Sequence, residues 1–341
     1  MQERKRVVSG IRPTGELHLG NYLGAIRDFI PLQEHHQCFF FAADLHALTT
    51  ISGNGLELEQ QSIEVLRLYL ACGIDPDKSV LYRQSDIAEI PYIALLLGMV
   101  APVGELNRCT TYKEKVKEIE ARRVAQDYIS LGLLAYPVLM AADVLFCNAD
   151  LVPVGEDQIQ HLEIAREVAR RYNTHLSSAH RFTEPQPYRT GAVRIPGLRA
   201  QGKMSKSVGG PDDAIMLLDS DKEIKRKVMA AVTDSGTEES GQMSQPLSNL
   251  FTLMELCCKP ETVSDFRERY QNGDRKFYGA MKKALADAVI ELLEPIKERY
   301  HSPECSQDRV RQMLFENSER VRTLARQTLF AMRQDFGLHS D

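Results

Sequence analysis

Nothing in this chain marks it for a membrane, a metal framework or an oxidising compartment. Its seven cysteines, at positions 38, 72, 109, 147, 257, 258 and 305, are scattered, and no two form a CxxC pair. That spacing argues against a zinc ribbon or a disulfide scaffold, so reduced thiols in the cytoplasm and no protein-bound structural metal are expected. The most apolar stretch, Tyr92–Val103, is broken by Gly98 and Pro102 and is too short to span a bilayer. Met1–Arg6 is polar and basic, no apolar stretch follows it, and no signal peptide is expected. A strong charge of one sign is missing as well. The formal balance of −5 excludes a general nucleic-acid coat, although a local basic face would still serve a nucleic-acid partner. No internal repeat is present.

What the chain does have is length and alternation. At 341 residues, about two domains are expected, each with its own core. Arg6–Gly10 reads as a short strand, the turn Pro13–Gly15 follows, and Leu19, Tyr22, Leu23, Ile26 and Phe29–Ile30 then recur at helical spacing. Cys38–Ala43 is a continuous apolar run, as in a strand covered on both faces, and it ends in Asp44-Leu45-His46. Leu58–Ala71 is helical by pattern, Ser79–Tyr82 strand-like and Ile90–Met99 helical. This alternation predicts an α/β fold with a doubly wound parallel sheet. Ligands of such sheets bind at the carboxyl ends of the strands, where Gly10, Asp44 and His46 fall.

Further on, Lys113–Arg123 is a dense charge run that reads as a solvated helix face, and Leu131–Phe146 is apolar enough to be core. Gly155-Glu156-Asp157 opens a helix to about Tyr172, with Ile159, Leu162, Ala165, Val168, Ala169 and Tyr172 facing inward. Between Thr183 and Pro211 the composition turns to Pro and Gly, which sets the expected division: residues 1–195 a sheet domain, residues 196–341 a loop followed by an all-helical domain. In that second part, Phe277, Met281, Leu285, Ala288, Leu292 and Ile296 form one helical stripe, and Val321, Leu324, Ala325, Leu329 and Met332 another. Thr233–Ser244 is polar and rich in Gly and Ser, so a mobile loop is expected there.

Two short signatures carry the chemistry: Pro13-Thr14-Gly15-Glu16-Leu17-His18-Leu19-Gly20-Asn21 and, far downstream, Lys203-Met204-Ser205-Lys206-Ser207. The first is a glycine turn running into a helix, where free backbone N–H groups and a polar side chain hold phosphate. The second places two lysines three residues apart on a Gly- and Ser-rich loop. Joining a carboxylate to AMP requires an exposed α-phosphate and neutralised charge on the departing diphosphate, tasks of position and electrostatics. His18 and Asn21 sit one helical turn apart and can donate to a triphosphate, while Gly20 allows close approach. Taken alone, His18 also reads as a helix cap and the lysine loop as ordinary surface. In this order, the two describe ATP-dependent carboxylate activation.

These signatures resemble the HIGH and KMSKS motifs of class I aminoacyl-tRNA synthetases. Tyr136-Pro137-Val138-Leu139-Met140-Ala141-Ala142-Asp143, Val152-Pro153-Val154-Gly155-Glu156-Asp157-Gln158-Ile159-Gln160-His161 and Ala231-Val232-Thr233-Asp234-Ser235 are similar to blocks of the bacterial tryptophanyl family. The resemblance runs from about residue 7 to the C-terminus. It implies a cytoplasmic homodimer whose Rossmann domain forms the adenylate from L-tryptophan, ATP and Mg2+, and whose helical domain meets the anticodon of tRNA(Trp).

Carried over by position, the resemblance places ATP on Ser9, Gly10, Arg12, Pro13, Thr14, Gly20, Asn21, Gly155, Glu156 and Asp157. Ile195 would lie near the adenine, with Lys203, Met204, Ser205, Lys206 and Ser207 over the phosphates. His18, Asn21, Lys203, Lys206 and Lys115 would act on the transition state. Asp143 would accept the indole N–H among Val8, His46, Met140, Val152 and Val154, and Tyr136 and Gln158 would hold the amino group. The residues themselves agree for Asp143, since a carboxylate in so apolar a run needs a donor, whether a substrate or a structural partner.

Three departures from the family stand out: Arg12 where Gln is usual, Val8 where an aromatic is common, and a longer charged segment between Lys115 and Tyr136. Arg12 and His18 together resemble a divergent bacterial branch. Arg322, Arg326 and Arg333 share one face of the last helix, open to tRNA or merely to solvent. The tyrosyl-specific relative, a small-molecule nucleotidyltransferase and a non-catalytic paralogue that binds tryptophan or tRNA are the competing readings. The absence of tryptophan from the chain fits an enzyme whose synthesis does not depend on its own product.

Overall fold

Alternating strand residues sort the chain into two apolar layers. The computed structural model describes residues 4–49, 55–122, 128–155, 158–176, 180–188, 195–199, 202–204, 210, 212–233, 243–274 and 276–338. Its centre is a parallel sheet of five strands, β1 (Arg6–Ile11), β2 (Gln37–Ala42), β3 (Ser79–Arg83), β4 (Leu151–Pro153) and β5 (Gln186–Tyr188), in the order β3-β2-β1-β4-β5. The register pairs Val7 with Cys38, Val8 with Phe39 and Phe39 with Val80. Because successive side chains point to opposite faces, Val7, Cys38, Phe40 and Leu81 join one core and Val8, Phe39, Val80 and Tyr82 the other.

Helices Arg27–His35 and Gly55–Cys72 cover the first face; Glu89–Gly98, Leu131–Leu145 and Ile159–His175 cover the second. The expected doubly wound sheet is therefore present, with helical boundaries within a few residues of those read from periodicity. Ahead of Arg27–His35 the chain makes a short helical turn, Leu19–Asn21, and a widened π turn, Tyr22–Ile26. Pro31 lies in the following helix, and its missing N–H releases the carbonyl one turn back, toward that widened stretch.

The segments around the two signatures are tied together by main-chain bonds. Leu19 N–H donates to the Ile215 carbonyl at 2.7 Å, and Leu217 N–H donates to the Leu17 carbonyl at 3.0 Å. Pro196 and Lys203 face each other across an antiparallel bridge, and Met204 N–H donates to the Ile195 carbonyl at 2.8 Å. Of the mobile loop expected over Thr233–Ser244, residues 234–242 lie outside the described residues.

The helical part does not stand apart from the sheet. Phe277, Met281, Leu285 and Ile296 belong to the same apolar core as Val7 and Phe40. Within helix Tyr278–Tyr300 the expected Met281, Leu285 and Ile296 are buried and are joined by Ala286, Val289 and Leu293, whereas Ala288 and Leu292 are half-buried, so the buried face is wider than the expected stripe. The long final helix, Gln307–Asp335, returns to the sheet: Asn317 Nδ2 donates to the Leu81 carbonyl at 3.0 Å and Thr328 Oγ1 to the Phe146 carbonyl at 2.7 Å. Serines cap several helices as their sequence positions suggest; Ser130, Ser244 and Ser306 each accept from the backbone N–H three residues on.

Gly10 shows how tightly the layers fit. A Cβ there would stand 2.5 Å from the Phe41 ring, which is stacked on Tyr82 at 5.2 Å. Gly10→Ala should cost about 1–3 kcal/mol by overpacking. Chemical denaturation checks it: the midpoint should fall, and adding Phe41→Leu to the same chain should recover part of the loss.

Candidate functional site

A cleft of about 770 Å³ opens at the carboxyl ends of the strands, between β1 and β4, where the strand order reverses. That reversal sends the following loops to opposite sides and leaves a crevice. Val8, Ser9, Gly10 and Arg12 line it from β1 and the residues after it, and Val152, Val154 and Gly155 from neighbouring β4 and the residues after it. From helix Leu131–Leu145, Tyr136, Met140 and Asp143 enter from the second face of the sheet.

Asp143 is 2% exposed and held on both oxygens. Gln84 Nε2 donates to Oδ1 at 2.8 Å and to Oδ2 at 2.9 Å, and His46 Nε2 lies 2.8 Å from Oδ2. Gln84 is itself fixed, since its Oε1 accepts from Leu45 N–H at 3.1 Å. A carboxylate offers about four acceptor positions, so Oδ1 keeps one for a ligand. Burial pushes the Asp143 carboxyl above its ordinary range, against the opposing pull of His46 and Gln84. Neighbouring Asp44 is also raised by burial; its oxygens accept from Ser85 and Leu45 and shape the loop that carries His46.

A second polar group lines the opposite end of the same helix. Tyr136 hydroxyl meets His161 Nε2, and His161 Nδ1 lies 2.8 Å from Gln158 Oε1. Burial, followed by the adjacent Cys109, pushes the Tyr136 phenol well above its ordinary value, so it remains a neutral O–H. Tyr136 and Gln158 thus meet through His161, and both line the cleft.

The remaining expected residues gather toward the mouth. Asn21 Oδ1 accepts from His18 N–H at 2.9 Å, which leaves the Asn21 amide N–H2 group as a donor to the cleft. Gly20 is required by His18: a Cβ would stand 2.9 Å from the imidazole Nδ1. Arg12 lines the cleft and is exposed, whereas exposed Thr14 and buried Pro13 are not among the residues that line it. Lys203 lines the cleft, as does Lys115, whose Nζ lies 2.6 Å from Glu118 Oε2 in an exposed pair that is cheap to exchange for a ligand.

Ile195 borders the cleft but is itself nearly fully buried. Met204 departs from the expected nucleotide contact. Its side chain is 1% exposed and packed in the core, so it anchors the hairpin that carries Lys203. Glu156, Asp157, Ser205, Lys206 and Ser207 lie outside the described residues.

With this geometry, the comparisons with known proteins become specific. The model of the family "tRNA synthetases class I (W and Y)" matches residues 1–294. The chain is 42% identical to a tryptophan–tRNA ligase of Porphyromonas gingivalis over 334 residues, 97% of this chain and 98% of that one. Among solved structures, the tryptophanyl-tRNA synthetase of Mycoplasma pneumoniae matches with a TM-score of 0.83 and 33% identity, covering 99% of each chain. The Campylobacter jejuni enzyme, solved with ADP and tryptophan, matches at 0.79 and 33%, covering 97% of this chain and 99% of that one. The chain belongs to the class I tRNA synthetases, on their bacterial tryptophanyl branch.

The three arginines expected to serve tRNA have partners within the chain. Arg322, Arg326 and Arg333 fall along the last helix, where Arg326 is exposed and Arg322 and Arg333 are half-buried. Arg322 Nε donates to the Asp86 carbonyl at 2.8 Å, Arg326 Nε to Glu89 Oε1 at 2.9 Å, and Arg333 is half-buried. The Arg322 and Arg326 bonds tie the last helix to the segment just after β3. Conversely, the sequence reading leaves Gln84, Thr111, Cys109 and His161 without roles. Gln84 stands just past the end of β3, where the strand-end rule points; His161 lies inside a block that carries the family resemblance.

Asp143 gives a pH prediction. A carboxyl raised by burial costs folded stability once ionised. The cost is absent below the ordinary carboxylate range and complete above the raised value. Asp143→Asn should therefore leave the melting temperature unchanged or raise it near neutral pH. The difference from wild type should shrink as the pH falls through the carboxylate range, as calorimetry across pH would show.

Proposed function

We propose that this synthetase activates L-tryptophan with ATP and Mg2+ and then charges tRNA(Trp). The observation that carries the reading is the buried Asp143, fixed by Gln84 and His46 with one acceptor position left at the apolar end of the cleft. An indole N–H fills that position, and a phenyl side chain leaves it unpaired. A buried acceptor of this kind separates substrates by roughly 10⁴-fold without editing.

Tyr136 and Gln158 hold the ammonium, which leaves the carboxylate facing the rim between Gly10 and Lys203. There a carboxylate oxygen attacks the α-phosphorus of ATP, the bond to the β-phosphate oxygen breaks, and diphosphate leaves with the electron pair. Arg12, Lys115 and Lys203 neutralise that charge, joined by Lys206; the Asn21 amide donates to it, and His18 supports it from the helix start. Mg2+ enters on the phosphates of ATP. In the second step a terminal ribose hydroxyl of the tRNA attacks the adenylate carbonyl, and AMP leaves.

The division of labour follows the expected boundary in function rather than packing. Residues 1–195 hold the adenylate chemistry; residues 196–341 bring the lysine loop and the helices that meet the anticodon. The active unit is a homodimer. Tyr92, Leu95 and Met99 recur along one face of their helical stretch, continued by Val103, and Leu95, Met99 and Val103 are 57%, 64% and 59% exposed. A second copy of the same apolar stripe is its natural cover. Its seven free cysteines suit a reducing cytoplasm.

Amino-acid-dependent ATP–diphosphate exchange tests the first step. Exchange should appear with tryptophan and be absent with phenylalanine, and Asp143→Asn should lower it by roughly 100-fold. Exchange driven by tyrosine in place of tryptophan would overturn the assignment in favour of the tyrosyl relative.

A further inference from the structure

The lysine loop needs a fixed base, and a run of hydrogen bonds reaches that base from the helical part. The helix Asp221–Met229 ends, like any helix, in carbonyls that have no partner within the helix itself. Lys282, from helix Tyr278–Tyr300, supplies one from outside. Its Nζ donates to the Ala231 carbonyl at 2.6 Å and to the Met229 carbonyl at 3.2 Å. A cation is favoured at this end, where the helix dipole is negative.

The Ala231 carbonyl and the Val232 N–H belong to one planar peptide group. On the far side of that group, Val232 N–H donates to the Leu198 carbonyl at 3.2 Å. The next peptide repeats the pattern: the Leu198 carbonyl shares its plane with Arg199 N–H, which donates to Asp213 Oδ1 at 2.7 Å. Two peptide groups thus connect an ammonium to a carboxylate, with every donor pointing the same way. Ala231, Leu198 and Asp213 are all buried, which shields most of the run from water. Aligned bonds in such low-dielectric surroundings polarise and strengthen one another.

What the run holds is the hairpin of the second signature. Leu198 N–H donates to the Asp213 carbonyl at 3.0 Å, Gly197 N–H to the Gly202 carbonyl at 3.1 Å, and Pro196 pairs with Lys203 across the antiparallel bridge. A displaced Leu198 therefore displaces Lys203.

We infer that Lys282 is a positioning residue for adenylate formation: through the Ala231–Val232 peptide and Leu198 it fixes the hairpin that sets Lys203 against the departing diphosphate. Lys282 is not among the residues that line the cleft, so it acts through the hairpin and not on a substrate. The inference rests on the reading that Lys203 neutralises the diphosphate, and the test separates the two.

Two quantities are measured on wild type, Lys282→Met, Lys282→Gln, Lys282→Arg and Lys203→Met. The first is the Kd for L-tryptophan without ATP, read from ligand emission because the chain contains no tryptophan. The second is kcat/KM for ATP in ATP–diphosphate exchange. In Lys282→Met, kcat/KM for ATP should fall roughly tenfold to a hundredfold, as for a lost hydrogen bond from a charged group. The Kd for L-tryptophan should change less than about threefold, since the indole end of the cleft shares no partner with Lys282. Lys282→Gln keeps a neutral donor and should fall between, and Lys282→Arg should recover most of the loss.

Equal weakening of tryptophan binding and of ATP use would make Lys282 a merely structural residue and overturn the inference. If Lys282→Met does not fold, Lys282→Gln decides by the same two quantities. If Lys203→Met is impaired and the folded Lys282 variants exchange like wild type, the role of Lys282 falls alone. If Lys203→Met exchanges like wild type, the diphosphate reading falls and takes the inference with it.

Discussion

A buried carboxylate governs the arrangement of this molecule. Asp143 is raised by desolvation and is tolerable in an apolar wall because Gln84 and His46 satisfy three of its acceptor positions. Those partners come from distant parts of the chain: Gln84 from the end of β3, His46 from just past the end of β2, and Asp143 itself from the helix Leu131–Leu145. Their meeting requires the strand order β3-β2-β1-β4-β5 and the right placement of that helix over the second face. The fold is thus the device that brings one acceptor, with one position to spare, to the bottom of the cleft.

The same logic applies at the rim, where phosphate chemistry needs mobile charge on a fixed base. Main-chain bonds between residues 17–19 and 215–217 lock the first signature to the segment after the second. The hairpin of Ile195 to Met204 is closed by a backbone bond and by the buried Met204 side chain. Gly197 admits the Asp213 carboxylate, whose oxygen would stand 2.3 Å from a Cβ, and Asp213 Oδ1 in turn accepts from Arg199 N–H at 2.7 Å. The base of the lysine loop is therefore built from the core of the protein, and Lys203 projects from it.

Much of this was legible in the residues. The continuous apolar run Cys38–Ala43 marks a strand covered on both faces, and the signatures fall where strand-end chemistry belongs. Other features were not. The buried face of Tyr278–Tyr300 takes in Ala286, Val289 and Leu293 beside the expected Met281, Leu285 and Ile296, because a helix buried on a wide face shows no unique phase in its sequence. The change to Pro and Gly at Thr183–Pro211 suggested separate cores, yet one apolar core crosses it, since composition reports the path of the backbone and not what later helices pack against. Arg322 and Arg326 read as a basic face; their partners, the Asp86 carbonyl and Glu89, lie far away in sequence. Gln84 and His161 escaped notice for the same reason: their meaning lies in tertiary hydrogen bonds, which no local pattern encodes.

The central claim is that the Asp143 carboxylate, held by Gln84 and His46, reads a ring N–H. It is tested most directly by the kcat/KM of adenylate formation for L-tryptophan against its benzothiophene analogue, in which sulfur replaces that N–H at nearly the same shape. A discrimination on the order of 10³-fold or more, as expected when a buried acceptor is left unpaired, is the predicted result. Comparable activation of the two substrates would contradict the account.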